Sequence, residues 1–187
     1  DASGHGMAAG LVMAVAHAAF RTQLDVDPAP SAMFATMNRI LCRTGSPRAF
    51  FSCAYLVISP DGSWWGCLAG HPPILRLSAS GEVLARIGRG AYPLGIRPGL
   101  TWPVESGRIE ARERLLLYSD GVPETRDAEG REFGDERVEA EVRRVGKIGA
   151  VALVAAIGAA VDTFRGDVEV EDDVSIAVLG RRSTPGG

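Results

Sequence analysis

The sequence predicts an α+β chain in which antiparallel sheets carry helices as outer layers. Three observations lead there. Helical patterns cluster towards the two ends of the chain, and strand patterns fill the middle. The turn signals Pro60-Asp61-Gly62 and Ala79-Ser80-Gly81 join consecutive strands as hairpins, which makes their sheets antiparallel. Strand and helix do not alternate along the middle of the chain, so a doubly wound parallel sheet is rejected.

Each element follows from its residues. Positions 6–23 are apolar nearly all round, as in a helix buried within a layered domain. Asp25-Val-Asp-Pro-Ala-Pro30 breaks that helix. In 31–43, Met33, Met37, Ile40 and Leu41 share one helical face, and Thr44-Gly45-Ser46-Pro47 ends it. Phe, Tyr, Val and Ile in 49–59 predict a strand, with 63–69 as its return. Positions 74–77 and 82–87 form a second hairpin. Positions 100–104 read as a strand, with Pro103 confining it to an edge or a bulge. Leu115, Leu116 and Leu117 in a row predict a strand covered on both faces. Positions 135–145 and 149–165 are helices, the first amphipathic and the second buried, and 174–179 closes as a strand. The polar stretch 181–187 is an expected disordered tail.

Composition narrows the functional classes. The 187 residues fit one domain, and 46% hydrophobic with 23% charged residues is ordinary globular composition. A net charge of −3 argues against a nucleic-acid binder and gives no attraction to anionic lipid. Cys42, Cys53 and Cys67 have no zinc spacing and are expected to be reduced, mostly buried thiols of a cytoplasmic protein. The uncharged run 2–20 holds Ser3, His5, His17 and three glycines and is mostly alanine rather than leucine or isoleucine, which favours a core helix over a membrane span. Without an initiator Met, the chain reads as a piece of something longer.

Three carboxylate positions stand at the edges of regular elements, far apart in sequence. Asp1 opens Asp1-Ala-Ser-Gly-His-Gly6 ahead of the first helix. Asp120-Gly121 follows the leucine strand. Asp172-Asp173 precedes the last strand. Singly, these are also readable as a glycine turn with an aspartate cap, a hairpin turn and a solvated charge run. Jointly they suit a hard divalent cation, since clustered carboxylates repel unless a cation neutralises them. No GxxxxGK[ST] loop and no GxSxG elbow is present, so a P-loop NTPase and an α/β-hydrolase are excluded.

Asp1-Ala-Ser-Gly-His-Gly6 resembles the DxSGHG motif of bacterial SpoIIE/RsbU-like serine phosphatases, a branch of the metal-dependent PPM (protein phosphatase 2C-like) family. Ala69-Gly-His-Pro-Pro73 is similar to that family's NAGHPP loop, with Leu68 where Asn is usual. Pro93-Leu-Gly95 matches its PLG segment, and Leu115-Leu-Leu-Tyr-Ser-Asp-Gly-Val-Pro-Glu124 its LLLYTDGxxE strand and turn. Glu132-Phe-Gly-Asp-Glu-Arg137 and Asp172-Asp-Val-Ser175 follow in the family's order.

The resemblance implies an αββα sandwich of two mainly antiparallel sheets, with a metal cluster at one edge. It implies a phosphatase domain over 1–180 that lacks its first strands, because the family's upstream (S/G)GDxxD hairpin would precede Asp1. By position, Asp1, Asp120 and Asp172 are the implied catalytic metal ligands. The Ala2 carbonyl and Asp173 are further donors, and the ions are two Mn²⁺ or Mg²⁺. His5 is assigned packing or anion orientation, His71 a rigid turn, and His17 the core.

The expected reaction is direct hydrolysis of phosphoserine or phosphothreonine by metal-bound water, without a covalent phospho-enzyme. The resemblance implies a regulatory protein as substrate, an anti-sigma-factor antagonist, with σ-factor control downstream. It leaves open an upstream sensor domain or a homodimer. The rival reading is a non-catalytic pseudophosphatase module that binds a phosphoprotein.

Overall fold

The computed structural model describes residues 2, 6–44, 50–88 and 90–181. Its elements are α1 (Gly6–Val26), α2 (Pro30–Arg43), β1 (Cys53–Ile58), β2 (Ser63–Ala69), β3 (Ile74–Leu77), β4 (Val83–Ile87), β5 (Glu105–Arg108), β6 (Arg114–Tyr118), α3 (Gly134–Val145), α4 (Ala150–Arg165) and β7 (Ile176–Gly180). The α+β class with two antiparallel sheets and four helices is as expected. The chain divides into two compact units. The first comprises Asp1–His71 and Gly88–Arg108, the second Pro72–Ile87 and Ile109–Gly187.

The first unit is the sheet β1-β2-β5 with α1 and α2. Its hairpin pairs Cys53 with Ala69 and Ile58 with Trp64. Gly66 sits where the strands approach most closely, since a Cβ there would collide with the Tyr55 carbonyl oxygen and the Leu56 side chain. One face of β2 presents Cys67 and Ala69 to Val12, Ala16, Met33, Phe34, Met37 and Leu41. Phe34 meets Trp102 edge-on at 5.7 Å between ring centroids, and Phe20 meets Tyr55 at 5.6 Å. The buried Asn38 of α2 accepts a hydrogen bond from Gly95 N (2.8 Å) and donates to Arg97 O (3.1 Å), which fixes the Pro93-Leu94-Gly95 segment. Leu94 in turn bridges Phe51, and Phe51 bridges Ala2.

Several expectations need correction here. Positions 100–104 are not a strand; the strand is β5, Glu105–Arg108. Trp102 is buried by its ring contact and donates its indole N–H to Tyr92 O (2.7 Å), so its apolar character serves the core of a loop. The helix α1 buries only Val12, Ala16 and Ala19 and leaves Met7, Leu11 and Met13 exposed. Six of its 21 residues are alanine, whose high helix propensity sustains a helix without demanding burial on every side. His17 accordingly lies exposed on α1 and is not a core histidine. Of the cysteines, Cys67 is buried while Cys42 and Cys53 are half-buried, and all three are free thiols.

The second unit is the sheet β4-β3-β6-β7 with α3 and α4. The central strand β6 pairs with β3 on one side and β7 on the other, and Leu115 and Leu116, which point to opposite faces, are both fully buried. Leu75, Leu77 and Leu116 pack with Val138 and Val142 of α3 and Leu153, Ile157 and Val161 of α4. The helix α4 is buried along that one stripe only, since Val151 is 85% exposed.

Ion pairs to buried carboxylates add to the carbon core in this unit. Glu139 of α3 is 5% exposed and accepts from Arg86 Nε of β4 (2.7 Å) and from Arg143 (2.8 Å). Asp135 and Glu136 stand in the first turn of α3, and Arg143 and Arg144 in its last, complementing the helix dipole. Arg114 is buried and donates to the carbonyls of Ile148 (2.5 Å) and Ser78 (3.4 Å). It thereby ties the β3–β4 turn to the α3–α4 connection. Those two loops touch so closely that a Cβ on Gly81 would lie 2.9 Å from Gly146 Cα.

Candidate functional site

The strand β6 delivers Ser119, Asp120 and Gly121 to its C-terminal end, beside the segment that leads into β7. Ser119 clasps the two together. Its N–H donates to Ser175 O (2.9 Å), its hydroxyl donates to Asp173 O (2.9 Å), and the same hydroxyl oxygen accepts from Ser175 N (2.9 Å). Gly121 permits the close approach, because any Cβ there would collide with the Asp173 carbonyl oxygen. The chain then coils, with Glu124 N donating to Asp120 O (2.9 Å) and Thr125 Oγ1 to Gly121 O (2.5 Å).

The Asp120 carboxylate is set in this turn with Oδ1 buried and without a hydrogen-bond partner among the described residues. Burying such an oxygen unsatisfied is costly, and a cation offsets that cost directly. Asp172 is exposed, and its Oδ1 accepts from the Asp173 N–H (2.8 Å). Glu124 is pushed above the usual carboxylate range, first by burial and then by the negative charge of Asp120, Glu132 and Asp172. Three carboxylates of this unit thus share one field. An all-oxygen donor set carrying excess negative charge fits a hard divalent cation such as Mg²⁺ or Mn²⁺. Among the described residues, no three His, Cys, Asp or Glu side chains already form a metal-holding group.

The expected site residues fare unequally. Asp120 and the Asp172-Asp173 segment are brought together in the second unit. Ala2 belongs to the first unit, buried and bridged to Phe51. Asp1 and His5 lie outside the described residues. His71 is half-buried and follows Gly70, which bends the chain at a φ of 64° and donates its N–H to Ala91 O (2.9 Å). Asp172 and Asp173 lie in the loop ahead of β7, which begins only at Ile176.

Sequence reasoning passed over Ser119 and Glu124 as site residues. A hydroxyl residue directly before the strand-end Asp-Gly pair, and a carboxylate four residues beyond that Asp, were the available signals.

A family profile described as stage II sporulation protein E (SpoIIE) matches residues 1–182. Among solved structures, the chain is similar to the SiaA-PP2C domain of Pseudomonas aeruginosa. The TM-score is 0.82 with 17% identity, over 96% of this chain and 72% of that one. It is also similar to the PP2C phosphatase domain with a regulatory fragment of SpoIIE from Bacillus subtilis, at TM-score 0.77 and 19% identity over 95% of this chain and 52% of that one. A structure of the RsbU and RsbW domains of a Mycobacterium tuberculosis protein matches at TM-score 0.70 and 23% identity, over 97% of this chain and 50% of that one. The chain therefore spans about half the length of the last two. At these identities the likeness of structure establishes the PP2C-like fold, and the profile match establishes the lineage: the chain belongs to the SpoIIE family of PPM-type phosphatases.

Proposed function

We propose that this chain is a metal-dependent phosphoprotein phosphatase that removes phosphate from serine or threonine of a regulatory protein. The observation that carries the reading is Asp120, a buried and unpartnered carboxylate oxygen at the end of β6, clasped against Asp172-Asp173. The proposed ligands are Asp1, Asp120 and Asp172, with the Ala2 carbonyl and Asp173 as further donors. Two Mn²⁺ or Mg²⁺ ions are proposed. In support, a B. subtilis SpoIIE phosphatase-domain structure was presoaked with Mn, and RsbX was crystallised with magnesium. The catalytic domain is proposed to span 1–180, with 181–187 as a tail.

Divalent cations, when bound, activate water at neutral pH and neutralise charge on the phosphoryl oxygens. The chain's own part is to hold the carboxylates still. Ser119 keeps the Asp120 turn on the β7 lead-in, and Gly121 leaves room for that contact. Glu124 adds negative charge that favours cation entry.

The proposed substrate is a phosphorylated anti-sigma-factor antagonist or similar switch protein, in the cytoplasm. One solved relative comprises RsbU and RsbW domains, and another is the bacterial stressosome, a modular system adapted to control secondary messenger signaling. No helix among the described residues is long and apolar enough to cross a membrane.

The test is Mn²⁺-dependent release of phosphate from a phosphoserine peptide by the full chain, compared with Asp120→Asn. We expect a loss on the order of 10²-fold or more, since even outer-shell changes at metal sites cost 10- to 100-fold. Equal turnover by both proteins, or none by either in Mn²⁺, would overturn the assignment.

A further inference from the structure

Beside the Asp120-Gly121 turn, wholly within the second unit, lies a cleft of about 480 Å³. One wall is α4, at Gly158 and Val161. The opposite wall is the loop ahead of β7, at Val168, Val170 and Val174. Gly158 leaves an indentation in the helix, since a Cβ placed there would touch nothing within 4 Å.

The rim of this apolar slot is acidic: five carboxylates line it against two guanidiniums. Both arginines are already engaged. Arg165 donates to Val168 O (2.7 Å) and to Asp162 (3.1 Å), and Arg126 bonds Glu132 at 3.0 Å. Arg126 also reaches Glu171, at 4.0 Å. Among the described residues the rim therefore carries five carboxylates against two guanidiniums, an excess of negative charge around Glu124, Glu169 and Glu171. Gly121 and Asp172 belong to the same lining, so the cleft is continuous with the candidate site.

An apolar slot with a carboxylate rim is complementary to an aliphatic stem with a cationic head. We propose that this cleft is a substrate subsite that takes a lysine or arginine side chain flanking the phosphoserine. The inference rests on the phosphatase reading and deepens it. It identifies the preferred substrate as a phosphorylated segment bearing a basic residue near the phosphate, and assigns the selection to Glu169 and Glu171 across a slot floored at Gly158. Acidic segments are repelled by the same rim.

The test uses the full chain in Mn²⁺ with phosphoserine peptides carrying Lys, Ala or Glu at each flanking position in turn. p-Nitrophenyl phosphate, which has no flanking residue, is the reference. A basic residue at the responsive position should raise kcat/KM roughly tenfold over Glu, and salt should erode the advantage. Glu169→Lys with Glu171→Lys should abolish that preference. Gly158→Leu, which fills the slot without altering charge, should do likewise. Gly158→Leu should hydrolyse p-nitrophenyl phosphate at the unmodified rate, and the doubly charged variant should still hydrolyse it at saturating Mn²⁺.

Equal use of basic and acidic peptides, with p-nitrophenyl phosphate still hydrolysed, overturns the subsite. So does a preference that survives both variants. If p-nitrophenyl phosphate is not hydrolysed, the phosphatase reading fails separately. Fluorescence anisotropy of the labelled peptides then decides the cleft: tighter binding of the basic peptide, lost in both variants, supports it, and equal binding overturns it.

Discussion

Each unit holds one buried side-chain polar atom without a hydrogen-bond partner among the described residues, and the two atoms are not equivalent. In the first unit it is Trp64 Nε1, packed against Gly107; in the second it is Asp120 Oδ1. A neutral indole N–H costs at most about one lost hydrogen bond, and the ring's burial outweighs it. A carboxylate oxygen invites a counter-charge, and no described residue donates a hydrogen bond to it. The units differ in the same sense throughout. The first is held by carbon, through Phe34 on Trp102 and Phe20 on Tyr55. The second adds arginines to buried carboxylates, as at Glu139 and Asp127. Among the described residues, the second unit pairs its buried carboxylates Glu139, Glu141 and Asp127 with arginines, yet leaves the buried Asp120 Oδ1 without a partner, which suits that oxygen to a ligand.

Four measurements break or sharpen this contrast. Truncating Phe34, which is fully buried in the first unit, should cost about 3–5 kcal/mol in denaturant unfolding, with no dependence on Mn²⁺. An Mn²⁺-dependent loss would show that the carbon-built unit also governs the ion. Next come the tight glycines. Gly66→Ala and Gly121→Ala each force a Cβ into a carbonyl oxygen and should each cost about 1–3 kcal/mol. Only Gly121→Ala should also weaken Mn²⁺ binding by calorimetry, because it separates Asp120 from Asp172.

Removing Arg86 and Arg143 together leaves Glu139 buried and unpaired, which should cost about 2 kcal/mol at neutral pH. Equal stability of this double variant and the parent chain in denaturant unfolding would mean that the two ion pairs contribute nothing to the unit.

The smallest effect is at Glu124. Its folded carboxyl is raised above the unfolded value of 4.5, so the native state takes up a proton first as pH falls. The ionised form therefore penalises the metal-free fold above the folded pKa, and the penalty fades as pH drops towards the unfolded one. Glu124→Gln should raise the metal-free melting temperature slightly at pH 7 and leave it unchanged near pH 4. A lower melting temperature at pH 7 would contradict the crowding of negative charge at this turn.

The units were not equally legible in the sequence. Leu115-Leu116-Leu117 announces a central strand, and Asp120-Gly121 after it announces the turn, because burial on both faces and a sharp reversal each demand specific residue types. The Pro60-Asp61-Gly62 hairpin is as legible, with Gly62 at φ 91° and Asp61 Oδ1 accepting from Ser63 N. The strand β5 was not. Its Glu-Ser-Gly-Arg sequence has no strand character, and pairing with β2 makes it a strand. The depth of α1 was unreadable for a related reason: alanine favours a helix equally well in a core or on a surface. The clasp of Ser119 on Asp173 spans 54 positions and leaves no local pattern.

Arg114 has a further consequence. Its guanidinium joins the Ser78 and Ile148 carbonyls, and Gly81 lies against Gly146 with no space for a side chain. The β3–β4 turn and the α3–α4 connection therefore cannot drift independently over evolution: lengthening either one would require a compensating change in the other. Epitope tags or fused partners inserted at either loop should be rejected, whereas the exposed tip at Asp61 should accept them.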